Sequence, residues 1–162
     1  MFYKNMMLYT TNRASLNDIY KHLVICDSNF VPPLSSRVNI MDYSQKIRNN
    51  AITIEAWHHK DLVGLIACYA NDKAQKAAFI TIVSVALNFQ KRGIANHLML
   101  NLLKKRGITI FKEIRLEVFV DNKAAISLYS KFGFKVEKQE SSIISMVLVP
   151  SSFQYPQNPQ RN

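Results

Sequence analysis

Cysteine, acidic side chains and long apolar runs are all scarce in this chain. Its two cysteines, Cys26 and Cys68, form no close pair and no metal-ligand cluster. Both are therefore read as buried free thiols rather than a disulfide framework. No run of eighteen apolar residues exists, and the N-terminus lacks a continuous apolar stretch with a small-residue cleavage site. The expectation is a cytoplasmic chain with no membrane span. Eleven acidic residues against 21 Lys and Arg leave a net charge of +10. Those cations are dispersed, however, and the longest run is Lys104-Lys105-Arg106, at an expected helix end where cations favour the dipole. Without a basic stripe, nucleic acid is set aside as a partner.

What is present is a globular composition. The 162 residues are 48% apolar, enough for one core with little left for a second. One domain is expected over residues 1–150, with a flexible polar tail over 151–162. No internal repeat is visible. Met7 to Tyr9 reads as a strand, and Ser15-Leu16-Asn17-Asp18 opens a helix with Leu16, Ile19, Tyr20, Leu23 and Val24 inward. Pro32-Pro33 keeps the next stretch irregular. A second helix follows from about Met41 to Asn49. Two strands over 51–57 and 62–70 are joined at His58-His59-Lys60-Asp61, and Asn71-Asp72-Lys73 makes a turn.

Ile80 to Leu87 is then an apolar, β-branched run of strand length that ends in Asn88. Just beyond it stands Gln90-Lys91-Arg92-Gly93-Ile94-Ala95, where one glycine permits close backbone approach to a ligand. The following helix would aim free N–H groups there, and Lys91 and Arg92 add positive charge. This is a cradle for phosphate. Lys112 to Val120 alternates as a strand, Asp121-Asn122 supplies a helix cap, and Ala125, Leu128, Tyr129 and Phe132 share one helical face. Gly133 stops that helix, Phe134 begins another strand, and Ile143 to Val149 forms the last.

Gln90-x-x-Gly93-x-Ala95 after an apolar strand resembles the acetyl-CoA signature of the GNAT superfamily of acyl-CoA N-acyltransferases. Asn122-x-x-Ala125-x-x-Leu128-Tyr129-x-x-Phe132-Gly133-Phe134 is similar to a second block of the same superfamily. The resemblance covers about residues 7–149 and implies an α/β GNAT fold: a mixed central sheet of about seven strands, splayed in the middle, with about four helices. It implies acetyl-CoA as acyl donor, its pantetheine arm bonded to Val83, Ser84 and Val85, and its pyrophosphate held over Lys91 to Ala95. Gln90, Asn122 and Ala125 complete the cofactor contacts, and Lys123 is a further cation for the phosphates.

The implied chemistry is direct attack by an amine on the thioester. Tyr129 stands where the family's general acid faces the sulfur, and the Val85 N–H is the implied oxyanion donor. The base is open, because Ala78-Phe79-Ile80-Thr81 lacks the acid that many members carry there. Glu117 is the catalytic candidate, with Glu55, His58, His59, His97 and a water chain as others. The acceptor wall is expected over Phe30 to Arg37 with Tyr43, its hydroxyls and Arg37 suiting a small polar amine that carries a carboxylate or phosphate. The acceptor is a small molecule, such as an amino sugar or amino acid, or a protein N-terminus. A non-catalytic acyl-CoA-binding regulatory module is the alternative, and both monomer and homodimer are compatible with the sequence.

Overall fold

The computed structural model describes residues 6–71, 74 and 76–153. Its strands are β1 (Leu8–Thr11), β2 (Ala51–His58), β3 (Asp61–Tyr69), β4 (Ala77–Val85), β5 (Glu113–Phe119), β6 (Lys135–Glu140) and β7 (Ile143–Leu148). They make one sheet in the order β1-β2-β3-β4-β5-β7-β6, in which only β4 and β5 run parallel. The helices are α1 (Leu16–Cys26), α2 (Ile40–Asn50), α3 (Ile94–Leu103), the short α4 (Arg106–Thr109) and α5 (Lys123–Lys131). None of them is long and apolar enough to cross a membrane.

Helices cover both faces of the sheet, and strand alternation sorts the core into two layers. On one face Ile19 and Leu23 of α1 and Ile47 of α2 pack on Leu65, Ala67 and Ile82. On the other, Ile94, Leu98, Met99 and Leu102 of α3 pack on Ile54, Ile66 and Ile80, and the layer extends to Ile114, Leu116, Tyr129 and Phe132. Ser15 caps α1 in a reciprocal capping box with Asp18, as its sequence implies. The buried stripe of α1 differs from expectation: it is Ile19, His22, Leu23 and Cys26, while Val24 is 46% exposed.

Three boundaries also differ. Apolar character carries the expected fourth strand to Leu87, but Leu87–Phe89 form a 3-10 turn and Leu87 is 65% exposed. The basic triplet straddles a break, with Lys104 capping α3 and Arg106 beginning α4, a fifth helix that periodicity does not show. At the C-terminal end, Pro150–Ser152 turn back and Phe153 stacks on Phe132 at 6.1 Å. The rest of the expected tail, 154–162, and Asp72 and Lys73 of the expected turn lie outside the described residues.

Gly64 sets how closely α3 approaches the sheet. A Cβ there would lie 2.9 Å from Ile94 Cγ2 and 3.2 Å from both Ala56 Cβ and Leu98 Cδ1. Ile94 is branched at Cβ and cannot swing away cheaply. Gly64→Ala is expected to destabilise the fold by about 1–3 kcal/mol through overpacking. Chemical denaturation checks this, and an unchanged midpoint would refute it.

Candidate functional site

The sheet opens at its centre. β4 and β5 are paired only from Ala77–Glu113 to Ile80–Leu116, and beyond that the two strands part. On its other side β4 stays paired with β3 to Val85, with a bulge: Ala67 pairs with Ile82 and Cys68 with Ile80, leaving Thr81 extra. The Tyr43 hydroxyl holds this bulge through the Thr81 carbonyl at 3.0 Å and hydroxyl at 2.7 Å. Because of the extra residue, side chains past Thr81 change face, so Ile82 and Ser84 turn toward α1 and α2. Ala86 donates its N–H back to Val63 on β3. Backbone groups alternate sides along a strand, so those of Val83 and Val85 point into the opening. The Gln90 amide donates to the Val85 carbonyl from that side at 3.1 Å.

The loop after β4 leads to an uncapped helix start. Lys91 and Gly93 hold positive φ, 59° and 78°, and Gly93 immediately precedes α3. Among the described residues no side chain bonds the first-turn N–H groups of α3, and no acid lies in that turn. Free N–H groups and the positive end of the helix dipole therefore face outward together. Lys91, Gly93, Ile94 and Ala95 border a cavity of about 510 Å³ with Val83, Ser84, Val85 and Gln90. Arg92 does not border it: its guanidinium donates to the Asn88 carbonyl at 2.8 Å and lies over the Phe89 ring. Lys123 is also absent from the lining. Lys131 takes that place, reaching across from α5 to donate to Asn96 Oδ1 at 3.1 Å.

The facing wall is α5. Asn122 caps it by accepting the Ala125 N–H at 3.1 Å, and both residues line the cavity. Tyr129 is 7% exposed, and its hydroxyl has no hydrogen-bond partner among the described residues. Burial pushes its pKa well above the usual phenol value, so it stays protonated and able to donate. A second cavity, of about 280 Å³, meets the first at Phe30, Val83, Asn122, Ala125 and Tyr129. Phe30, Val31, Leu34, Arg37 and Tyr43 of the expected acceptor wall line this second space. Ser35 and Ser36 do not, because their hydroxyls bond Asp27 and the Pro33 carbonyl. Arg37 lies over the Phe119 ring at 5.2 Å.

The candidate bases separate clearly. Glu117 lines the second cavity, and its carboxylate has no ion-pair or hydrogen-bond partner among the described residues; the neighbouring Arg115 pairs with Glu113 and Glu137 instead. Glu55 is fully buried and structural. It accepts from the Thr10 and Thr53 hydroxyls and from the Arg13 and Ala14 N–H groups, tying β1 and its following loop to β2. His58 packs on His59 and Phe89, and His97 on Tyr9, and none of these three histidines lines either cavity.

Sequence reading missed His22; Cys26 is the buried free thiol expected of it, and its place beside the cavity is new. His22 bonds Ser84 Oγ at 2.8 Å through Nε2 and the Leu62 carbonyl at 2.9 Å through Nδ1, and Cys26 borders the first cavity. The spacing 19, 22, 23, 26 is itself a helical stripe and would have revealed His22, had it been counted as an inward residue. Burial lowers the His22 pKa to about 4 and raises that of the Cys26 thiol to about 12. An unfolded chain thus binds a proton at His22 below about pH 6.5 that the folded chain refuses. Stability from this residue is complete above pH 6.5 and is lost as pH falls toward 4, by roughly 3 kcal/mol. Denaturation of the wild type and His22→Asn across that range should show this pH slope only in the wild type.

The acetyltransferase (GNAT) family model matches residues 16–134. L-2,4-diaminobutyric acid acetyltransferase of Vibrio parahaemolyticus is 26% identical over 100 residues, covering 62% of this chain and 55% of that protein. N-alpha-acetyltransferase MAK3 of Arabidopsis thaliana is 34% identical over 80 residues, covering 49% and 42%. The chain thus spans about half the length of the curated relatives it matches. The PaiA N-acetyltransferase of Thermoplasma acidophilum, solved with coenzyme A, superposes with a TM-score of 0.66 at 19% identity, over 88% of this chain and 99% of that one. The ribosomal-protein-S18-alanine N-acetyltransferase of Escherichia coli gives 0.68 at 13%, over 97% and 100%. At such identities the likeness is one of fold.

Proposed function

Since the chain belongs to the GNAT acetyltransferase family, we propose that it transfers the acetyl group of acetyl-CoA to a primary amine, by direct attack where its two cavities meet. The observation that carries this reading is the junction itself. A long cavity with a phosphate cradle at one end and a smaller cavity with its own charges share Tyr129, Val83 and Asn122.

The residues present suit the donor. Val83 and Val85 offer backbone groups to the pantetheine arm as a neighbouring strand would. The free N–H groups of Gly93 to Ala95, with Lys91, receive the pyrophosphate, and Lys131 adds charge at the same mouth. Gln90, Asn122 and Ala125 border the same cavity, and Arg92, outside it, braces the loop by donating to the Asn88 carbonyl. In the reaction, Glu117 takes the proton that the ammonium must lose before its nitrogen can attack. The Val85 N–H donates to the oxygen as the carbonyl becomes tetrahedral. When the carbon–sulfur bond breaks, Tyr129 gives its proton to the departing thiolate, and the second proton shed by the newly acylated nitrogen, passed through water, restores it.

In the second cavity a guanidinium and an unpaired carboxylate stand among apolar and aromatic side chains. That suits a small acceptor with an amine for Glu117 and a carboxylate for Arg37, such as an amino acid. The likeness to a diaminobutyrate acetyltransferase agrees. The match to an N-alpha-acetyltransferase supports a protein N-terminus as the second reading.

A panel of amines, read by free CoA thiol, tests the activity. Tyr129→Phe is expected to lower kcat about 100-fold with little change in KM for acetyl-CoA. An unchanged kcat would remove Tyr129 from the chemistry. Tight acetyl-CoA binding with no turnover of any amine would favour the non-catalytic module. Arg37→Met should raise KM about 10-fold or more for 2,4-diaminobutyrate and leave that for 1,3-diaminopropane, which lacks the carboxylate, nearly unaltered. Equal effects on both amines would exclude a carboxylate contact.

A further inference from the structure

Three groups on three elements form a chain of hydrogen bonds beside the first cavity. Leu62 on β3 offers its carbonyl oxygen, His22 on α1 its ring, and Ser84 on β4 its hydroxyl, at 2.9 Å and 2.8 Å. Directions along this chain follow from chemistry. A carbonyl oxygen can only accept, so Nδ1 of His22 carries a hydrogen. His22 is 1% exposed and neutral, since burial lowers its pKa to about 4. Its Nε2 is therefore bare, and the only hydrogen that can lie between Nε2 and Ser84 Oγ belongs to the serine. Cys26 Sγ approaches no closer than 3.7 Å to Nε2 and is a weak donor at best.

With its one proton committed, Ser84 can offer only lone pairs elsewhere. Ser84 lines the first cavity, between Val83 and Val85, whose backbone groups face the same space. We propose that His22 holds the Ser84 hydroxyl as an acceptor-only group, and that this oxygen receives an amide N–H of the donor's pantetheine arm. The inference rests on the reading of this cavity as an acyl-CoA slot. It makes His22 a positioning residue, acting on the ligand only through Ser84. A freely turning serine would suit donors and acceptors alike, whereas the fixed one favours N–H groups and opposes a carbonyl or carboxylate oxygen at that point.

Two ligands separate this role from a structural one. Acetyl-CoA carries the pantetheine arm, and adenosine 3′,5′-bisphosphate carries only the nucleotide end. Calorimetry on the full chain is expected to show Ser84→Ala weakening acetyl-CoA about 3- to 10-fold, the range for one hydrogen bond. Affinity for the bisphosphate should not change. Equal weakening of both ligands, or of neither, would overturn the proposal. Independently, ¹⁵N shifts of His22 in the wild type should report a protonated Nδ1 and a bare Nε2, and the opposite tautomer would overturn it without any variant. If the wild type binds the bisphosphate but not acetyl-CoA, the acyl-CoA reading of the slot fails first, and this inference with it.

Discussion

Backbone hydrogen bonds at the centre of a sheet are obligatory, and this fold leaves some of them unmade on one strand. β4 is held to β5 by four register pairs, Ala77–Glu113 to Ile80–Leu116, and its remaining length has a sheet partner on one side only. A buried strand edge without partners costs free energy unless water or a ligand supplies them. Much of the site's geometry follows from that parting. The gap gives the long cavity its floor, α3 starts beyond the loop that follows β4, and α5 begins a few residues beyond β5 to form the opposite wall.

The bulge at Thr81 gives the two halves of β4 different duties. Before it, Ala78 and Ile80 pack in the layer beneath α3. After it, Ile82 and Ser84 face the other layer, and Ser84 meets His22. One added residue thus links the centre of the site to α1, which no motif marks. Tyr43 holds the same bulge from α2, so both N-terminal helices bear on β4, at Thr81 and three residues on at Ser84.

Much of this was legible in the sequence. Ile114, Leu116 and Val118 alternate as a half-buried strand should, and all three are buried. Asn122 and Gly93 stand at helix starts because few other residues serve there as well. What escaped depends on contacts between distant segments. Glu55 reads as a candidate base until four donors from β1, its loop and β2 converge on it. Arg92 reads as a phosphate ligand until its guanidinium folds back on Asn88. Leu87 extends an apolar run, yet the chain has already left the sheet at Ala86, whose N–H makes the last bond to β3. The Thr81 bulge leaves no local mark, since its register is set by β3.

Gln90 brings a different consequence. A strand with an open edge is a template for pairing with another chain, and proteins commonly guard such edges with charge or by covering them. β4's open edge is guarded from within, by a carboxamide from its own following loop that occupies the Val85 carbonyl. A side-chain amide is a strand mimic: it offers the same N–H as a peptide but cannot propagate a ladder. The Val85 carbonyl is therefore already paired within the chain, and any group that bonds it from the opening must exchange one amide bond for another instead of filling an empty position.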